Sequence, residues 1–265
     1  MKQCKLIVLS VVLAMFGSSC KDDDKKPEIS ADDSMNILEQ TLNLPTTLFS
    51  YRNQTFPVYY RNGPVTQQDN TLNINPITDA GATLGRVLFY DKNMSINNAI
   101  ACASCHIQDK GFADPNALST GFEGGLTGRN SMGLINARYY QTGRFFWDER
   151  AETLEAQTIM PIQDHIEMGM DLNTLEKKLS QIPYYNDLFT AAFGDDEVSS
   201  ERISLALAQF VRSIVSYESK FDVGRAAFGP APQPEDPFSN FTASENRGKE
   251  VFFSAQLGSC AACHV

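Results

Sequence analysis

Apolar residues recur at helical spacing through most of the chain beyond residue 78. Over residues 78–90, Leu84, Val87, Leu88 and Phe89 share one face, with Thr78 or Asp79 placed to cap the start. The clearest stripe lies in residues 200–217, where Ile203, Leu207, Phe210 and Ile214 repeat at helical intervals and Val211 and Val215 widen the band. This predicts a core helix. Further helices are predicted at 131–139, 149–160, 172–180, 184–193 and 243–253, the second of them stopped by Pro161. A short helix is expected at 34–44, ahead of Pro45. Residues 46–77 read as loop, with Gly63-Pro64 and Asn75-Pro76 as turn signals. Residues 228–238 carry Pro230, Pro232, Pro234 and Pro237 and read as a linker. Period-two alternation is scarce beside these segments, so the expected fold class is mostly α.

The first residues follow a different pattern. Lys2 and Lys5 precede an apolar run at 6–16, and Gly17-Ser18-Ser19-Cys20 follows. This is an export signal, too short to span a bilayer stably. The small residues before Cys20 resemble a bacterial lipobox, in which Cys20 becomes the lipid-bearing first residue of the mature chain; ordinary cleavage near Ser19 is the alternative. Residues 21–33 are a charged tether with too little apolar surface to order itself. The expected location is the bacterial cell envelope, periplasmic or surface-exposed, with the membrane engaged only through the lipid anchor.

Charge narrows the partners. The 265-residue chain has a formal net charge of −10, and removal of residues 1–20, which hold Lys2 and Lys5 and no acidic residue, takes it to −12. Such a surface argues against nucleic acid and anionic lipid and favours a basic redox donor, although solubility alone accounts for it equally well.

Cysteine usage changes the picture most. Cys102-Ala-Ser-Cys105-His106 and Cys260-Ala-Ala-Cys263-His264 each have the spacing of a covalent c-type haem attachment, two thiols for thioether bonds and an adjacent imidazole for the iron. Of the six cysteines, Cys4 lies in the signal, Cys20 is the anchor candidate and the pentads take the other four, so no pair is left for a structural disulfide. Zinc knuckles or a thioredoxin-like Cys-x-x-Cys are the alternatives, but zinc needs further ligands and the chain has three histidines in all. Covalent haem is assembled outside the cytoplasm, in agreement with the export signal. The expected division is signal 1–20, tether 21–33, an N-terminal cytochrome c-like domain 34–222, and a linker with the start of a second such domain at 223–265. That second domain is expected to be incomplete, because helical sequence should follow its pentad to cover the other haem face.

The residues Leu84-Gly-Arg-Val-Leu-Phe-Tyr-Asp91, Ala101 with the first pentad, Gly128-Arg-Asn130, Leu134-Ile-Asn136, Phe146-Trp-Asp148, Arg150, Leu154, Gln157, Pro161-Ile162 and Glu167-Met168 together resemble the bacterial di-haem cytochrome c peroxidase and MauG family. The likeness covers residues 80–265. It implies two covalently bound haem c groups: a peroxidatic one on Cys102, Cys105 and His106, and an electron-accepting one on Cys260, Cys263 and His264. It implies that Trp147, otherwise a plain core aromatic, assists electron transfer between them. Glu167, by itself a surface carboxylate, becomes the acid–base group for peroxide, its pKa raised in an apolar pocket, and Gln157 its partner amide. Asn130 matches a calcium ligand. Phe122 aligns where many relatives place a distal histidine, which predicts a first haem open without reductive activation. His165 is a candidate substitute ligand set against an exposed loop histidine, and Met168 and Met170 read as packing. The activity implied is reduction of hydrogen peroxide to water with electrons from a small cytochrome or copper protein, with a homodimer as assembly. A MauG-like oxidase acting on a partner protein and a non-enzymatic di-haem carrier are the alternatives, and a carrier would not need Glu167 with Gln157.

Overall fold

Two helices that cross at a pair of glycines set the core. Helix α3 (Asp79–Tyr90) starts at Thr78, whose hydroxyl accepts from Gly81 N at 2.9 Å. Helix α8 (Ser200–Ser213) starts at Ser199, capping Arg202 N. A Cβ at Gly85 would lie 2.0 Å from the Ala206 carbonyl oxygen, and one at Gly81 would lie 2.2 Å from Gln209 Oε1. Gly85 therefore lets the two backbones touch, and Gly81 makes room for the Gln209 side chain one turn earlier. Because the obstacle at Gly85 is backbone, Gly85→Ala is expected to cost about 1–3 kcal/mol, read as a lower urea midpoint at unchanged slope. An unchanged midpoint would show that the crossing has slack.

The structure, a computed structural model, describes residues 41, 42, 44, 45, 47–228 and 232–264. The signal, Cys20, the tether and most of the helix expected at 34–44 lie outside the described residues; residues 41 and 42 are helical. The remaining helices in chain order are α1 (Val58–Arg61), α2 (Pro64–Gln67), α4 (Cys102–Cys105), α5 (Leu154–Gln163), α6 (Leu172–Ser180), α7 (Pro183–Phe193), α9 (Lys220–Ala226) and α10 (Ala243–Phe253). Among the described residues strand pairing is limited to isolated bridges, and no helix is long and apolar enough to cross a membrane. The mostly α fold class holds.

One apolar cluster joins Leu84, Leu88 and Phe89 of α3 to Ile203, Leu207 and Phe210 of α8, Leu175 and Leu179 of α6, and Tyr185, Leu188 and Phe189 of α7. Behind it lies a buried polar network. Arg212 of α8 grips both carboxylate oxygens of Glu155, with Nη2 donating to Oε2 at 3.0 Å. Asn75 donates to Glu155 Oε1 at 2.7 Å, Gln209 donates to Asn75 Oδ1 at 2.8 Å, and Thr78 N donates to Gln209 Oε1 at 2.9 Å. The segment leading into α3 is thus bolted to α5 and α8. On another flank the Lys178 ammonium of α6 donates to Asn93 O at 2.7 Å, Ser95 O at 3.1 Å and Asn98 Oδ1, and so holds residues 93–98.

Three predicted bounds differ. Residues 131–136 are not helical, because Asn136 stands at φ 62° and its N–H donates to Ile214 O at 2.9 Å; only Ala137–Tyr139 forms a 3-10 turn. The helix expected at 149–160 runs Leu154–Gln163: Thr153 caps it, Glu149 has φ 52°, and Pro161 sits in its last turn. There the proline removes one hydrogen bond without stopping the final residues. Helix α8 ends at Ser213 rather than 217, where Gln54 Nε2 donates to Ser213 O at 2.8 Å and closes an end carbonyl. The loop expected at 46–77 contains the one-turn helices α1 and α2.

After α8, Phe221 of α9 packs on Phe238 at 5.5 Å and on Phe253 of α10 at 5.7 Å between ring centroids. Phe238 is buried at the centre of this aromatic group, and the Lys249 ammonium lies 4.8 Å from its ring centroid.

Candidate active site

Helix α4 is a single turn. Ser104 Oγ accepts from Ala101 N at 3.0 Å, and the chain leaves with His106 N donating to Cys102 O at 2.9 Å. Two left-handed residues, Gly111 at φ 70° and Phe112 at φ 58°, then fold the backbone back on itself. This return places Phe112 O 2.9 Å from His106 Nδ1, and Met132 O lies 3.0 Å from the same nitrogen. Two carbonyls can only accept, so Nδ1 carries the proton and Nε2 is left with a free lone pair, the arrangement of a metal-ligating imidazole. Burial pulls the His106 pKa down, opposed by those two carbonyls.

His106 borders two adjoining cavities, of about 680 Å³ and about 70 Å³. Thr127, Ser131, Leu134, Gln157, Pro161 and Glu167 line both, and Cys102 and Cys105 line the smaller. The larger volume is within the range of about 300–1,000 Å³ usual for cofactor pockets. Burial pushes the Cys102 thiol up to about 12 and raises Cys105 as well, the character of neutral thiols rather than thiolates. Among the described residues no group of three or more His, Cys, Asp or Glu converges to hold a metal ion. A neutral thiol pair, an imidazole with a free Nε2 and a large adjoining cavity fit a covalently tethered porphyrin better than zinc.

Glu167 sits in a clamped loop. Asp164 Oδ1 accepts from Ile166 N at 2.8 Å and Glu167 N at 3.0 Å, while Phe122 N donates to Glu167 O at 3.0 Å. A Cβ at Gly121 would lie 1.7 Å from Ile166 O, so the 121–122 backbone lies flat on this loop. Burial raises the Glu167 pKa, Asp164 raises it further, and Arg150 opposes. Gln157 comes from α5. Neither the Glu167 carboxyl nor the Gln157 amide makes a side-chain hydrogen bond to another described residue, so both keep their capacity for a ligand.

Trp147 is 60 % exposed at the larger cavity, and its indole N–H donates to Asn130 O at 2.9 Å. Asp148, held by Arg129 and Arg150 at 2.9 Å each, fixes the turn. Asn130 turns its amide N–H groups to Asp114 O and Asn116 O. Phe122 does not line either cavity: its ring lies over Gly169, where a Cβ would come within 2.5 Å of it. His165 is exposed, and Met168 and Met170 are buried in the apolar core. Cys260, Cys263 and His264 form an exposed turn in which His264 N donates to Cys260 O at 2.9 Å, repeating the backbone bond of the first pentad. The residues not anticipated are those that position: Asp164, and the Phe112 and Met132 carbonyls. An Asp two and three places ahead of free N–H groups was the readable signal for the first; nothing in the residue types marks the carbonyls.

A helical chain with such a pentad beside such a cavity defines a c-type haem protein. The family model for di-haem cytochrome c peroxidase matches residues 79–226, and the chain belongs to that family. It is 37 % identical over 190 residues to the methylamine utilization protein MauG of Methylophilus methylotrophus, covering 72 % of this chain and 53 % of that one. It is 30 % identical over 205 residues to the cytochrome c551 peroxidase of Pseudomonas aeruginosa, covering 76 % and 55 %. A crystal structure of a MauG-like protein associated with microbial copper homeostasis superposes with a TM-score of 0.59 at 27 % identity, over 80 % of this chain and 55 % of that one. The chain therefore spans about half the length of the relatives it matches.

Proposed function

We propose that the chain is the peroxide-reducing part of a di-haem peroxidase, converting hydrogen peroxide to water with electrons from a small cytochrome or copper protein. The observation that carries this is that Glu167 and Gln157, whose side chains make no hydrogen bond to another described residue, line the same cavity as Cys102, Cys105 and His106. The thiols would tether the haem and His106 Nε2 would ligate its iron, which supplies the site for peroxide and the electrons for O–O cleavage. Glu167, ionised, takes the proton from the near peroxide oxygen and returns it to the far one, which departs as water. Gln157 directs peroxide by donating from its amide. Trp147 would carry electrons from the second haem, held on Cys260, Cys263 and His264, towards the first. Phe122 has no lone pair for iron, so the first haem needs no reductive activation.

Cys20 is proposed as the lipid anchor of a cell-envelope protein, and a homodimer as its assembly. The domain division at 222 and 223 is offered likewise, with α9 straddling it. Calcium at Asn130 would use the side-chain oxygen that its amide bonds leave over. The identity to a MauG protein favours one second reading, an oxidase that turns the same peroxide chemistry on a partner protein.

The cofactor arrangement is tested with the Cys102→Ala/Cys105→Ala double variant. Pyridine haemochrome analysis should find two haems per chain in the parent and one in the variant; undiminished covalent haem would remove the first pentad from the site.

A further inference from the structure

We propose that Tyr59, paired with Asp222, is a redox-active tyrosine at the end of a chain of rings that begins in the large cavity; this rests on the peroxide reading above. Tyr139 and Tyr60 line the cavity that His106 borders. Their ring centroids are 5.5 Å apart, and Tyr60 lies 5.1 Å from Tyr59. Phe56 stacks on Tyr60 at 5.8 Å and meets Tyr217 at 5.0 Å, which keeps the group apolar and closely packed. Rings in contact let an oxidising equivalent pass from one to the next in short steps.

The direction of travel is set by where a proton can go. A phenol gives up an electron readily only when its proton leaves too, because the ring cation is a strong acid. Tyr60 donates its hydroxyl to the Ser216 carbonyl at 3.0 Å, and a backbone carbonyl is too weak a base to take the proton. Tyr59 donates to Asp222 Oδ1 at 2.5 Å, and a carboxylate can take it. Asp222 is buried on α9, its other oxygen fixed by Ser219 N at 2.9 Å and Ser219 Oγ. The Arg225 guanidinium stands 5.0 Å from the Tyr59 ring centroid and opposes positive charge on that ring, so oxidation must leave the ring neutral. Burial and Asp222 hold the hydroxyl well above the ordinary phenol range, so the resting form is the phenol.

The step balances as follows. The Tyr59 phenol loses one electron to the haem centre that peroxide has oxidised, and its proton passes to the Asp222 carboxylate, leaving a neutral phenoxyl radical and a neutral carboxylic acid. An electron from the redox donor restores the phenol, and Asp222 returns the proton. Asp222 shares α9 with Phe221, which packs against the aromatic group leading to the second pentad, so the proton acceptor sits on the helix that borders that group.

The test mixes ferric full-length holoprotein with one equivalent of hydrogen peroxide in the absence of donor, follows the haem absorbance, and freezes the sample for electron paramagnetic resonance. The parent protein should give a phenoxyl signal that narrows when its tyrosines are ring-deuterated. Tyr59→Phe should lose that signal. Asp222→Asn, which keeps a hydrogen-bond acceptor but takes no proton, should lose it as well. An undiminished phenoxyl signal in Tyr59→Phe overturns the assignment, as does a haem that reacts in the parent with no tyrosine radical. A haem that does not react with peroxide overturns this proposal together with the reading beneath it.

Discussion

Glu167→Gln is expected to slow the reaction of the ferric holoprotein with hydrogen peroxide by on the order of 10² or more, measured by stopped-flow absorbance. Glutamine keeps the shape and the hydrogen-bonding capacity of the side chain but cannot take a proton, so the loss isolates proton transfer. The parent rate should also fall on the acid side, as Glu167 becomes protonated. Because burial and Asp164 raise its pKa, that fall comes at higher pH than for a solvated glutamate, and the variant should lack it. The same shift has a stability consequence. A carboxyl whose folded pKa lies above its unfolded value binds protons more tightly in the native state, so above that range its ionised form weighs against folding. Glu167→Gln should therefore melt at a higher temperature than the parent at neutral pH while reacting more slowly. Equal peroxide rates would take Glu167 out of the chemistry.

The second large effect concerns the frame rather than the site. Glu155→Ala leaves the Arg212 guanidinium, 1 % exposed, without its carboxylate, and an uncompensated buried charge costs about 3–5 kcal/mol. Burial alone would raise the Glu155 pKa, but Arg212 and Asn75 outweigh it and hold the carboxyl below its ordinary value. A depressed pKa contributes stability that is present above the unfolded value and is lost as pH falls through the folded one. The gap between parent and variant in urea unfolding should thus be full at neutral pH and close on acidification. A gap below about 1 kcal/mol would class the pair with exposed salt bridges.

How much of this was legible depended on whether the information was local. The bounds 172–180 matched because a periodic apolar face and the Asp171 cap are local to the segment, and 243–253 matched because Thr242 and Glu245 form a capping box at its start. The stretch at 131–139 was expected to be helical, yet its backbone bonds run to Ile214, just past α8, and to the His106 imidazole, partners far away in sequence. Pro161 does not stop its helix for a different reason: a proline ends a helix only where the missing N–H matters, and in the last turn it costs one bond. The glycine crossing at Gly85 depends on what faces it, which no single helix reveals. In the site, the pentads were readable from spacing alone. Glu167 and Gln157 were not, since a lone carboxylate and a lone amide look like surface; the family resemblance singled them out, and the cavity brings them to the His106 wall. The Trp147 role was inferred from the same resemblance, and its side chain lies exposed at the cavity mouth.

The Lys178 ammonium has a bearing on biogenesis. Its three oxygen partners lie just ahead of the Cys102 thiol, on a segment anchored in the core through Met94, whereas the lysine arrives only with α6. A chain exported from its N-terminus would present both thiols before the strut that shapes their approach has emerged. Haem attached to such a chain during export, as the proposed function implies, would be joined before the clasp from α6 closes.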